Sequence, residues 1–125
     1  MIVNPGVAGR VTLLVAEADT AVALGTGEVP VLSTPRLIAL CESATVRALE
    51  GMLPAGKTHV GGRVQFDHLA PVRVGTEISA EAVLERVEGR RLTFTVSASD
   101  ASGLVGAGRV TRVVVAIDEF VNRAR

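Results

Sequence analysis

The sequence predicts an α+β domain in which one long helix precedes a curved antiparallel sheet of about five strands. Three observations predict it. Residues 35–50 carry start and stop signals for a single long helix. After residue 58 the pattern switches to period-two alternation, with short turns joining the last three runs. The chain has 125 residues, 48% of them hydrophobic, which suffices for one core and leaves no room for a second fold of ordinary size. One domain is therefore expected over residues 1–125.

The elements follow in order. Residues 10–16 (Arg-Val-Thr-Leu-Leu-Val-Ala) form the first expected strand. Residues 17–32 hold Gly25-Thr26-Gly27 and Pro30 and read as a loop with at most a short turn. Ser33-Thr34-Pro35 announces the helix: a hydroxyl at the N-cap, then proline where its missing N–H costs nothing. The helix should run from Pro35 to about Glu50, with Gly51 ending it and Pro54 preventing its resumption. A strand over residues 58–72 comes next, interrupted by Gly61-Gly62 and closed by Pro71. Residues 75–87 alternate Ile78, Ala80, Ala82 and Leu84 against Glu77, Ser79, Glu81 and Glu85. Glu88-Gly89 turns into residues 90–100, and Ala101-Ser102-Gly103 turns into residues 104–117, which makes an antiparallel meander. A single helix cannot cover both faces of such a sheet, so a homodimer or higher assembly is expected to hide the rest.

Charge and composition exclude several function classes. Thirteen basic residues balance thirteen acidic ones, with no Trp, no Tyr and only three Phe. The basic footprint and stacking platform of a nucleic-acid binder are both missing. No apolar run approaches membrane-spanning length, and residues 1–9 carry no positive charge of the kind a signal peptide needs, so neither membrane partner nor export is expected. Cys41 is the one cysteine, which excludes an internal disulfide and suits a reducing, cytoplasmic location. Two histidines without a carboxylate cluster give no reason to expect a metal.

Two polar residues stand in apolar company. At about 100° per residue, Arg36, Ser43, Arg47 and Glu50 share a polar stripe, with Ile38, Cys41, Thr45, Leu49 and Met52 opposite. Glu42 falls about 120° from the centre of the polar stripe, between Ile38 and Leu49. A carboxylate there must be paired, protonated or in a cleft; the plain alternative is an edge Glu that reaches water or an arginine. His68 shares a strand face with Val64, Phe66 and Ala70, where a lone histidine is more often a satisfied core residue than a catalytic one. His59, at the start of that strand, is read as surface. Thr34 alone is adequately explained as a helix cap. Together with Glu42 and His68 it makes a set fit for acyl transfer, with the hydroxyl as nucleophile or substrate positioner and the other two as base and orienter. Gly61-Gly62 reads as a β-bulge or as a freed backbone N–H able to hold an oxyanion. Cys41 is read as packing, and Arg90, Arg91, Arg109 and Arg112 as solvated unless they meet phosphates.

These residues resemble the fluoroacetyl-CoA thioesterase-like branch of the hotdog-fold thioesterases over about residues 31–120. The densest tracts are Ser33-Thr34-Pro35-Arg36-Leu37-Ile38-Ala39-Leu40-Cys41-Glu42 and Val60-Gly61-Gly62-Arg63-Val64-Gln65-Phe66-Asp67-His68-Leu69-Ala70-Pro71. Val87–Phe94 and Gly106–Arg112 look like the family as well. The resemblance implies a hotdog fold, dimers joined edge to edge with sites at the interface, and a Thr–Glu–His constellation that hydrolyses acyl-CoA thioesters. By position Thr34, Glu42 and His68 match that constellation, Gly61 a glycine whose backbone faces the acyl group, and Arg112 an arginine near the substrate. No cofactor is implied beyond the coenzyme A of the substrate. The chain departs from the pattern twice. Fluoroacetyl-selective relatives carry gating phenylalanines in the segment before the motif, whereas residues 17–30 contain no aromatic, so selectivity for fluoroacetyl is not expected. Val110-Thr111 replaces the family's His-Glu pair before the last arginine. The competing reading is a non-catalytic acyl-CoA or small-ligand binder with the same pocket. A hydratase ranks last, because its Asp-x-x-x-x-His pattern is missing.

Overall fold

The computed structural model describes residues 3–125. Strands β1 (Ala8–Leu14), β2 (Lys57–His68), β3 (Glu77–Glu88), β4 (Arg91–Asp100) and β5 (Gly103–Ala116) form one antiparallel sheet. Their order is β1-β3-β4-β5-β2, which leaves β1 and β2 as edges. Between β1 and the long helix lie a 3-10 turn at Glu17–Asp19 and one helical turn, α1 (Ala21–Leu24). The long helix α2 (Thr34–Ala48) packs mainly on β1 and β3, and α3 (Ile117–Asn122) follows β5. This is the helix-in-sheet architecture of the hotdog fold.

The alternation in β3 and β4 places Ile78, Ala80, Ala82, Leu84, Leu92, Phe94, Val96 and Ala98 in the core, each at most 1% exposed. Each fully buried Leu, Ile or Phe contributes about 1.5–3 kcal/mol of hydrophobic stabilisation. The helix lies close against β1 at Gly9, where an added Cβ would collide with the backbone of Ala44 and Ala48. The buried helix face is Leu37, Leu40, Cys41, Ala44, Thr45 and Ala48. The stripe is thus rotated from the expected one: Ile38 is half-buried on its flank, and Met52, 39% exposed, lies beyond the helix. No described helix is long and apolar enough to cross a membrane.

Boundaries moved where local chemistry decided them. The first strand begins two residues earlier than expected, and β2 stops at His68 rather than running on to residue 72. The N-cap is Ser33, whose Oγ accepts a hydrogen bond from the Arg36 N–H at 3.2 Å. Thr34 therefore occupies the first helical position and is not the cap. The helix closes at Ala48, with Gly51 behind it at φ +73°.

The largest effect is a bulge in β2. Gly61 pairs with Arg112 and Arg63 with Thr111, so Gly62 is the extra residue. Since side chains alternate strictly, one extra residue inverts the phase of everything before it. Val64, Phe66 and His68 face inward after the bulge, whereas His59 and Gly61 face inward before it, opposite Val114 and Arg112.

Candidate active site

The first half of the site is a hydroxyl–imidazole pair. Thr34 Oγ1 lies 2.8 Å from His68 Nδ1, joining the start of α2 to the end of β2. Because Ser33 satisfies the helix end, the Thr34 hydroxyl is free for this contact. The other ring nitrogen, His68 Nε2, is buried without a hydrogen-bond partner. Such an atom is costly to leave unmet, so it marks a position where a further polar group belongs. The segment before α2 is pinned by Asp19, which is 9% exposed: its carboxylate accepts from Arg36 Nε at 2.9 Å and from the Ala16 N–H at 2.8 Å. Beside the Thr34–His68 pair opens a cleft of about 420 Å³ lined by Val29, Leu32, Thr34, His68, Leu69 and Pro71. The cleft is mostly aliphatic with the hydroxyl–imidazole pair set in its wall, the character of a small-molecule site.

The second half is an ion pair. Glu42 Oε2 accepts from Arg112 Nη1 at 2.8 Å, with the Arg112 side chain only 9% exposed and the Glu42 side chain 33%. This resolves the anomaly on the helix wheel: Glu42 sits on the apolar flank because β5 supplies a buried arginine there. Gly61 lies directly beneath, and a Cβ on it would stand 2.7 Å from Glu42 Oε2 and 3.2 Å from Arg112 Nη1. The guanidinium is held from two more directions. Arg112 Nε donates to His59 Nδ1 at 3.0 Å, and Nη2 donates to the His59 carbonyl at 3.3 Å. Burial, and then the charge of Arg112, lower the His59 pKa below its ordinary value of 6.5. Burial also lowers the pKa of Arg112, against the opposing pull of Glu42. Cys41 is buried and its thiol pushed up to about 12, so it is packing and not a nucleophile.

The five residues singled out from sequence thus form two groups within one protomer: Thr34 with His68, and Glu42 with Arg112 over Gly61. Thr34 and Glu42 lie eight residues apart on one helix, a rise of about 12 Å, so the two groups do not touch. His59, read as surface, belongs to the second group. The bulge at Gly62 carries it inward, and the glycine pair was the signal for that inversion. Among the described residues no group of three or more His, Cys, Asp and Glu is placed to hold a metal ion.

Comparison with known proteins decides the family. A model of the fluoroacetyl-CoA-specific thioesterase family matches residues 15–118. The chain belongs to the fluoroacetyl-CoA-specific thioesterase family. It is 34% identical over 95 residues to the fluoroacetyl-CoA thioesterase of Streptantibioticus cattleyicolor, covering 76% of this chain and 68% of that protein. A solved structure of a fluoroacetyl-CoA thioesterase superposes with a TM-score of 0.91 at 29% identity, covering 98% of this chain and 96% of the other. A hot-dog-like protein from Thermanaerovibrio acidaminovorans gives a TM-score of 0.88 at 30% identity, over 95% of this chain and 88% of that one. In this member of the thioesterase family the cleft beside Thr34 is walled by aliphatic residues, since residues 17–30 contain no aromatic.

Proposed function

We propose that the protein hydrolyses acyl-CoA thioesters, with Thr34 and His68 as the reacting pair and Glu42, Arg112 and Gly61 completing the site. The observation that carries this reading is the 2.8 Å contact between Thr34 Oγ1 and His68 Nδ1 in the wall of an aliphatic cleft. Family membership supplies the thioester; the geometry supplies the chemistry. His68, accepting at Nδ1, takes the proton of the Thr34 hydroxyl or of a water that it orders, a general-base role worth about 10²–10⁴-fold. The nucleophile adds to the thioester carbonyl, and the negative charge that develops on its oxygen is met by backbone N–H groups near Gly61 and by Arg112. Collapse expels the CoA thiolate, which takes the proton held by His68; where Thr34 is the nucleophile, a water activated by His68 then cleaves the acyl-threonine and restores the hydroxyl, so that acyl-CoA and water give a carboxylate, a proton and CoA. Coenzyme A enters as part of the substrate and the scheme needs no other cofactor. The aliphatic walls suit an apolar acyl group.

Because Thr34 and Glu42 stand about 12 Å apart on one helix, one copy does not bring them to a single carbonyl. The proposed site lies at a homodimer interface, with Thr34 and His68 from one protomer and Glu42, Arg112 and Gly61 from its partner. The aliphatic surface left on the β5–β2 half of the sheet, including Val64 at 38% and Leu104 at 50% exposure, supports that arrangement. A cytoplasmic setting fits a protein with one buried, reduced cysteine.

The test is free-thiol release from short, long and aryl acyl-CoAs by wild type, Thr34→Val and Glu42→Gln. At least one ester should turn over, and each variant should lose about 10²-fold or more in kcat/KM. A folded wild type that binds CoA esters and hydrolyses none would be a binder, and unchanged turnover in Glu42→Gln would remove Glu42 from the mechanism.

A further inference from the structure

His59 is held in a contact that only one of its protonation states can make. Arginine donates and never accepts, so the 3.0 Å bond from Arg112 Nε requires a lone pair on His59 Nδ1. The ring must therefore be neutral, with its proton on Nε2. Protonation would set an N–H on Nδ1 against the N–H of Arg112 Nε, exchanging a charge-assisted hydrogen bond for the repulsion of two cations. The same guanidinium is the partner of Glu42 and lies over Gly61, so whatever fixes its plane also fixes the carboxylate.

We propose that His59 is a positioning residue for the reaction, clamping Arg112 against Glu42 while its imidazole is neutral and releasing it when the imidazole is protonated. It acts through Arg112 and does not itself meet the acyl group. Three kinds of observation support this. His59 supplies two of the three acceptors of the guanidinium, one from its ring and one from its carbonyl. It is half-buried on the inward face of β2, a placement created by the bulge at Gly62. Burial and the neighbouring guanidinium both favour its neutral form.

The charges around His59 agree with that state. From α2, Glu42, Arg47 and Glu50 face this end of the molecule; from β2 comes Lys57 and from β5 Arg112, while β1 contributes the apolar Val11. Arg47 and Glu50 pair with each other at 3.4 Å, and Glu42 is engaged by Arg112. Of these charges Lys57 alone makes no ion pair among the described residues, the guanidinium of Arg112 is the charge in contact with the ring, and no carboxylate among the described residues hydrogen-bonds it. Nothing there favours an imidazolium at neutral pH.

The activity arm of the test rests on the thioesterase reading; the spectroscopic arm does not. Nitrogen-15 spectra of the two imidazoles, with His68→Asn used only for assignment, should show His59 protonated on Nε2 and titrating below 6.5. Replacing its neighbour (Arg112→Met) should move that titration back toward the ordinary value. An Nδ1-protonated ring, or titration at or above 6.5, would overturn the proposal whatever the protein hydrolyses. For activity, His59→Asn keeps an acceptor close to the Nδ1 position and removes the titration, whereas His59→Leu removes both. At about pH 8, kcat/KM should stay within about 3-fold of wild type in the Asn variant and fall about 10-fold in the Leu variant. At about pH 5.5 the Asn variant should retain a larger fraction of its own alkaline activity than wild type does. Effects of pH that do not pass through residue 59 are common to both proteins and cancel in that ratio. An unchanged Leu variant, or an Asn variant with the wild-type acid limb, refutes the clamp. Absence of turnover in every protein counts against the thioesterase reading alone.

Discussion

A carboxylate on the apolar flank of a helix and a histidine on an apolar strand face are each costly placements; one contact answers the first, and one contact answers the second at only one of its two ring nitrogens. Glu42 meets Arg112, and His68 meets Thr34. The first contact has a consequence for stability. Removing Glu42 leaves a guanidinium that is 9% exposed without its counter-charge, so Glu42→Ala should lower the unfolding free energy by about 1–3 kcal/mol. Glu42→Gln keeps an acceptor oxygen and should lose less, which urea denaturation will show; no loss in either variant would mean that the pair contributes nothing to the fold. The pH dependence follows from His59. Its folded pKa is below the ordinary 6.5, so the unfolded chain takes up the proton first as the solution is acidified. The stabilisation is complete above about 6.5 and is lost as the pH falls through the lowered folded value. The stability gap between wild type and His59→Asn should therefore shift against wild type on acidification; parallel curves would contradict it.

At the scale of elements, β3, β4 and β5 were legible because alternation runs through them with Gly89 and Gly103 turning between. Three elements were not fully legible, each for a definite reason. In β2 the alternation read back from His68 puts His59 outside, and the bulge that reverses this leaves only a glycine pair in the sequence. At the helix start, Ser33 and Thr34 both offer a capping hydroxyl, and Ser33 takes the cap while Thr34 turns to His68. The short helix α3 has no capping side chain and lies where the last strand was expected to run out, so nothing local announced it. The division of labour at the helix start is itself testable. Ser33→Ala should cost about 1 kcal/mol of stability with activity largely kept. Thr34→Val should do the reverse, abolishing most turnover with little change in Tm, since its hydroxyl serves His68 and not the helix. A matching loss of stability in Thr34→Val would return Thr34 to a structural role.

For the whole molecule, the decisive fact is that α2 covers β1 and β3 and leaves the β5–β2 half of the sheet thinly covered. β2 is a free edge of twelve residues, and long edges with exposed apolar neighbours seldom stay unpaired. The site shows the same incompleteness as the sheet. One protomer holds a hydroxyl and an imidazole with an unmet buried nitrogen, and holds its carboxylate–arginine pair about 12 Å away along the helix. A twofold arrangement that sets the first group of one copy against the second group of the other mends both defects with one interface. Complementation between inactive variants tests it directly. In a mixed dimer of Thr34→Ala and Glu42→Gln, one site carries both substitutions and the other carries neither. Co-unfolding and refolding equal amounts should give mixed dimers as about half the population, each with one working site of two, and so recover about a quarter of wild-type activity. Each variant refolded alone should stay inactive. If mixing restores nothing while both variants exchange into dimers, Thr34 and Glu42 of the same chain serve the same site, and the interface reading of the reaction is wrong.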